Sequence, residues 1–145
     1  MTKVTKDNIF DLADKGDVRI LSHKDVATVK DNFGWTPLHY LAMRGKVEVL
    51  SHKDVATVKD LGWTPLHWLA NEGKVEVLSH KDVATVKDRD GWTPLHFLAD
   101  QGKVKVKDLK KLFPWYQYKR GTKIDEDLIT ELINTPNSLR FILED

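Results

Sequence analysis

The chain has 145 residues, 41% of them apolar and 31% charged, with a formal net charge of +1. That length suits one domain, and interspersed charges of both signs exert no overall pull toward nucleic acid or an anionic membrane. Cysteine is absent, which excludes disulfides, thiolate catalysis and cysteine-ligated zinc.

Self-similarity dominates the first hundred residues. Gly34-Trp35-Thr36-Pro37-Leu38-His39-Tyr40-Leu41-Ala42 returns with Trp63 and again with Trp92 in the place of Trp35, at spacings of 28 and 29 residues. A fixed short period marks a stacked repeat, whose core is a strip shared between neighbours. The first unit aligns without gaps: Ile9–Gly16 matches Leu38–Gly45, and Ser22–Lys30 recurs letter for letter at 51–59 and 79–87. Where later units carry Trp-Thr-Pro, it carries Lys6-Asp7-Asn8, a polar substitution suited to a terminal cap with nothing outside it. The expected organisation is one repeat domain, with a capping unit at 1–30, internal units at 31–59, 60–87 and 88–107, and a C-terminal helical cap at 108–145.

Within a unit, Thr36-Pro37 predicts a helix start, with Thr as N-cap and Pro at the first helical position. His39, three residues after Thr36, stands where a capping box needs a side chain that reaches back. Leu38, Tyr40, Leu41 and Ala42 cover an arc of about 200° on a helical wheel, wider than a surface helix shows, so the helix is expected to pack on both sides. Gly45 ends it. The next segment is ambiguous. Lys46-Val47-Glu48-Val49-Leu50 alternates as a strand does, and Lys103-Val104-Lys105-Val106-Lys107 alternates strictly, yet Val47 and Leu50 also form a helical i, i+3 pair. Ser51-His52-Lys53-Asp54 resembles a second cap, with a further turn over Val55 and Val58.

After residue 107 the repeat stops. Leu109–Tyr116 is aromatic and basic, and Pro114 breaks any helix there. Ile124, Leu128, Ile129, Leu132 and Ile133 predict an amphipathic helix with Asp125, Glu126 and Asp127 in its first turn. A loop at Asn134–Asn137 and a short final helix at Ser138–Leu143 follow, and this tail is expected to close the stack.

The pattern Asp-x-x-Gly-x-Thr-Pro-Leu-His-x-x-Ala-x-x-Gly, at Asp31–Gly45 and Asp88–Gly102, resembles the ankyrin repeat over residues 5 to about 107. The resemblance implies an all-α solenoid of paired antiparallel helices joined by hairpin-like loops, and it favours helix over strand for 46–52. Family repeats run to about 33 residues, so these shorter units are expected to lose roughly a turn of the second helix. Tyr40, Trp68 and Phe97, standing where the family usually has an aliphatic residue, are expected to refill that volume.

The resemblance also implies a non-catalytic protein-binding module that recognises its partner through the loops and the exposed side of the first helix. Carried over by position, that face comprises Trp35, Trp63 and Trp92; the helix pairs Met43-Arg44, Asn71-Glu72 and Asp100-Gln101; and the loop tips Asn32-Phe33, Leu61 and Arg89-Asp90. The tryptophans are the same in every unit, which favours a stapling role for them over a role as partner anchors. The flanking pairs differ between otherwise near-identical units, as partner-reading positions would.

Four further readings stand beside this one. His39, His67 and His96, like His23, His52 and His80, lack acidic or cysteine companions at ligand spacing, so neither metal nor cofactor is expected. There is no nucleophile elbow, glycine-rich phosphate loop or His-Glu-x-x-His, so no enzyme is expected. The stretch 103–123 interleaves Lys110, Lys111, Lys119, Arg120 and other bases with Phe113, Trp115, Tyr116 and Tyr118, a composition that can hold nucleic acid or an acidic surface. Its alternative is that the aromatics pack inward. Near-identical units also fit recent duplication or deliberate design, a scaffold with no dedicated ligand. No apolar run nears the roughly 18 residues of a membrane span, and Met1–Asp7 lacks a signal-like apolar core. The expectation is a soluble, cytoplasmic monomer that binds another protein, with nucleic acid the lesser reading.

Overall fold

The computed structural model describes residues 3–59 and 62–135. Six α-helices lie within them: α1 (Ile9–Asp14), α2 (Pro37–Met43), α3 (Pro65–Asn71), α4 (Pro94–Asp100), α5 (Val106–Leu112) and α6 (Glu126–Asn134). The helix starts follow from the Thr-Pro-Leu-His letters. Thr36 holds extended backbone, its Oγ1 accepts the His39 N–H at 3.3 Å, and His39 Nδ1 accepts the Thr36 N–H at 3.1 Å. The same reciprocal box opens α3 with Thr64 and His67, and α4 with Thr93 and His96. It satisfies two backbone donors that a helix start otherwise leaves without partners.

Each of these helices stops after seven residues because a glycine follows. Gly45 sits at φ +73°, where an L side chain is strained; its N–H bonds to the Ala42 carbonyl, and the Lys46 N–H bonds to Leu41. This 6→1 and 5→2 pair is a Schellman motif, and it recurs at Gly16, Gly73 and Gly102.

The ambiguous second half of the unit is helical, in the tighter 3₁₀ form, over Val18–Ser22, Val47–Ser51 and Val75–Ser79. Five residues hold one short turn, and Val49 and Val77 point fully inward from it. The strand reading of 103–107 is overturned. Val106 begins α5 instead, because the Asp108 carboxylate accepts the Lys105 N–H at 2.9 Å and Leu109 is buried on the resulting helix. The second cap lies one residue later than Ser51. Ser51 closes the 3₁₀ helix, donating its hydroxyl to the Glu48 carbonyl at 2.8 Å, while His52 Nδ1 accepts the Asp54 N–H at 3.0 Å. One helical turn follows, closed by Val58 N–H on the Asp54 carbonyl.

The helices stack in the order α1, α2, α3, α4, α6. Leu38, Leu41, Leu66, Leu69, Leu95 and Leu98 are wholly buried between layers, backed by Val49, Val55, Val77 and Val83. Burying a leucine or valine side chain is worth on the order of 1.5–3 kcal/mol, so the strip supplies most of the cohesion of a fold with such short helices. Neighbouring units are also tied through the main chain, Leu38 N–H to Val26, Leu66 to Val55 and Leu95 to Val83. α6 opens with Asp125 accepting the Leu128 N–H at 3.0 Å and lays Leu128, Ile129 and Leu132 against the last unit. The helix expected at Ser138–Leu143 lies outside the described residues.

Candidate protein-binding face

One side of the stack carries a row of rings. Tyr40, Trp68 and Phe97 pack partly against the core strip. Their ring contacts run along the tryptophan row, and they remain half-buried. Phe10 meets Tyr40 at 5.9 Å, Tyr40 meets Trp35 at 5.4 Å, and Trp35 meets Trp68 at 5.7 Å. The row continues from Trp68 to Trp63 at 4.7 Å, Trp63 to Phe97 at 4.9 Å, and Phe97 to Trp92 at 5.2 Å. Every step is edge-to-face, the arrangement ring quadrupoles prefer, worth about 0.5–1.5 kcal/mol per pair beyond burial. The tryptophans therefore staple the units and are also half open to solvent. The Trp35 and Trp68 indole N–H groups are buried with no hydrogen-bond acceptor among the described residues, so those two offer a partner carbon surface only.

The histidines lie beneath this row. Because Nδ1 of His39 accepts the Thr36 N–H, its proton sits on Nε2, which donates to the Trp63 carbonyl of the next unit at 3.3 Å. His67 donates likewise to the Trp92 carbonyl at 3.0 Å, and His96, with no further unit to meet, reaches Thr130 Oγ1 on α6 at 2.8 Å. Burial pushes His39 down to about 4 and also lowers His67 and His96, keeping all three neutral at physiological pH. In the second unit's loop, Asp31 Oδ1 accepts the Phe33 and Trp35 N–H groups, and Oδ2 accepts the Tyr40 hydroxyl. Burial alone would raise the Asp31 carboxyl, but those three hydrogen bonds outweigh it and hold the group below its usual range. Burial, then the bond to Asp31, pushes Tyr40 up to about 12.

Around the row the expected site residues separate. Phe33 is 72% exposed at its loop tip and leans on Trp35 at 6.1 Å. Asn32, Arg89 and Asp90 are exposed, whereas Leu61 lies outside the described residues. Met43 and Arg44 follow Tyr40 by three and four positions, on the same side of α2. Met43 is half-buried, and Arg44 pairs with Asp14 of the preceding unit at 2.5 Å. Asn71, Glu72, Asp100 and Gln101 are exposed, but Gln101 donates back to the Ala70 carbonyl at 2.8 Å. Arg44 and Gln101 thus join adjacent units as well as facing outward. Reading the units one at a time misses Tyr40, Trp68, Phe97 and Asp88 as parts of this face. For the three rings the signal was an aromatic residue at one position of each internal unit, where the first unit has Asp11.

The basic stretch is divided by the fold. Phe113 and Trp115 are buried, and Tyr118 is half-buried with its hydroxyl donated to the Leu109 and Phe113 carbonyls. Two of the four rings are thus unable to stack on bases. Lys110, Lys111, Lys119 and Arg120 are exposed. Only Lys111 of these joins Lys103, Lys105 and Lys107 along a groove of about 540 Å³, which Glu76 and Asp108 also line. Among the described residues no three His, Asp or Glu side chains converge as a metal site, and no helix is long and apolar enough to cross a membrane.

Capped short helices, Schellman turns, looped connections and a shared leucine strip define a helical repeat solenoid. Residues 10–80 match the family model for ankyrin repeats, three copies, and that stretch of the array belongs to the family. Ankyrin repeats generally serve as protein–protein interaction modules. Comparison with curated proteins gives no match.

Proposed function

We propose that the chain binds another protein along the face formed by the loops and the outer side of α2, α3 and α4. The observation that carries this reading is the half-open aromatic row crossing all four units, with Phe33 standing 72% exposed at one loop tip. Aromatic side chains bring large contact area at little entropic cost and are enriched at binding hot spots. The row is rigid before any partner arrives, since each ring is wedged edge-on by its neighbours. The pairs Met43-Arg44, Asn71-Glu72 and Asp100-Gln101 stand beyond it at the helix ends and supply the unit-to-unit variation that selects one partner.

The test is affinity capture with the intact chain, followed by quantitative binding of the recovered partner to variants. Phe33→Ser and the double change Asn71→Ala/Glu72→Ala should each weaken binding at least tenfold, about 1.4 kcal/mol or more, without moving the melting temperature. Lys53→Ala and Lys81→Ala, away from the loops, should leave it unchanged. Equal binding by all four variants would show the wrong face.

A further inference from the structure

A pocket of about 260 Å³ opens on this face between the third and fourth units, lined by Trp63, Asp88, Asp90, Trp92 and Phe97. Phe97 meets both indoles edge-on, at 4.9 Å and 5.2 Å with an interplanar angle of 68° in each case, so the rings stand as walls at steep angles. The remaining lining is two carboxylates and no base. Arg89, between them in sequence, lays its aliphatic stem over Gly62 of the preceding loop and does not line the pocket.

Comparison of units shows what is special here. Asp88 repeats the Asp31 turn, its Oδ1 accepting the Asp90 and Trp92 N–H groups at 2.9 Å each. At Asp31 the second oxygen is taken by the Tyr40 hydroxyl. The residue equivalent to Tyr40 is Phe97, which has the ring without the hydroxyl. Asp88 Oδ2 therefore loses that donor at the place where two indoles and a phenyl ring converge. Aromatic faces are electron-rich and attract organic cations, and a carboxylate oxygen beside them completes the match. With Oδ1 committed to the turn, Asp88 presents one oxygen. That suits the compact charge of an ammonium better than the two-pronged fork of a guanidinium.

We infer that this pocket receives the ε-ammonium of a lysine side chain presented by the partner protein. The inference rests on the proposed binding face but is tested without any partner. The probes are N-acetyl-lysine methylamide, its ε-mono-, di- and trimethylated forms, N-acetyl-arginine methylamide and the uncharged N-acetyl-norleucine methylamide. They are titrated into the ¹⁵N-labelled chain while the Trp63 and Trp92 indole resonances are followed. Lysine probes should shift both resonances saturably, and norleucine should not. Asp88→Asn keeps the oxygen that holds the turn and removes the charge, and should weaken binding about fivefold, as expected for the loss of one modest charge contact. Phe97→Tyr restores the hydroxyl seen at Tyr40 and should weaken it at least as much.

Equal shifts from norleucine, tighter binding of arginine than of every lysine form, or unchanged affinity in both variants would overturn the assignment. Failure of the probes removes the pocket assignment alone. Probe binding in a chain whose partner ignores Phe33→Ser and Asn71→Ala/Glu72→Ala would instead remove the proposed face and keep the pocket.

Discussion

Lowering the pH from 7 to 4.5 should destabilise this protein through its capping histidines before most carboxylates begin to protonate. His39 is wholly buried, with Nδ1 accepting from Thr36 and Nε2 donating to Trp63. A proton added at Nδ1 would face the Thr36 N–H, so protonation and the capping box exclude one another. Its native value of about 4 lies below the unfolded value of 6.5, so between those limits the unfolded chain takes up a proton that the native chain refuses. The stabilisation from His39 is complete above pH 6.5 and disappears as the pH falls toward 4. At about 1.4 kcal/mol per pH unit, His39 alone accounts for about 3 kcal/mol over that window. His67 and His96 act in the same direction, as does the half-buried His80, each lowered chiefly by burial. Urea titrations at pH 7.5, 6, 5 and 4.5 should show the midpoint falling at every step below 6.5, with no gain above 7.5 from these groups. His39→Gln keeps a capping side chain without the titration and should flatten the slope. Native imidazole resonances of His39 that titrate near 6.5, or an unchanged slope in the variant, would refute the reasoning.

Thr64→Ala removes the N-cap acceptor for His67 and should cost about 1 kcal/mol in urea unfolding, with helical content otherwise retained. Thr130→Val leaves the buried His96 Nε2–H without its acceptor and should cost about 1–2 kcal/mol, with hydrogen exchange quickening in α6 before the central helices. Trp63→Leu breaks the ring contacts to Trp68 and Phe97 and should cost about 2 kcal/mol, two aromatic pairs at about 1 kcal/mol each; a melting curve superposable on the parent's would contradict the stapling role. Gly45→Ala forces a side chain to φ +73° against the Lys74 stem and should cost about 1–2 kcal/mol.

Local chemistry was the legible part of this sequence. Thr36-Pro37 and His39 foretold the cap because a capping box involves residues three apart, and Ile124 to Ile133 foretold α6 because its period runs through nine residues of helix. Lys46 to Leu50 resisted because five residues satisfy a strand alternation and an i, i+3 pair equally. The burial of Val49 in a single 3₁₀ turn settles the matter only in the folded chain. At Val106, the Asp108 cap overrode a strict alternation. The aromatic row was illegible for a different reason. Trp35 touches Trp68 and Trp63 touches Phe97, pairs set by how one unit overlies the next rather than by spacing within a unit. The difference between Tyr40 and Phe97 reads as a conservative change until Asp31 is seen beside the hydroxyl.

The bond from each histidine to the unit ahead works as plug and socket. Every internal unit offers the same plug, an imidazole N–H, and the same socket, a tryptophan carbonyl, so one copy can follow another without any redesign of the joint. Thr130 on α6 takes the last plug, a hydroxyl standing where the earlier joints have a tryptophan carbonyl. Length is thereby uncoupled from the chemistry of joining. Copies of 60–87 spliced before 88 should lengthen the solenoid, and its aromatic row with it, while the two ends stay as they are.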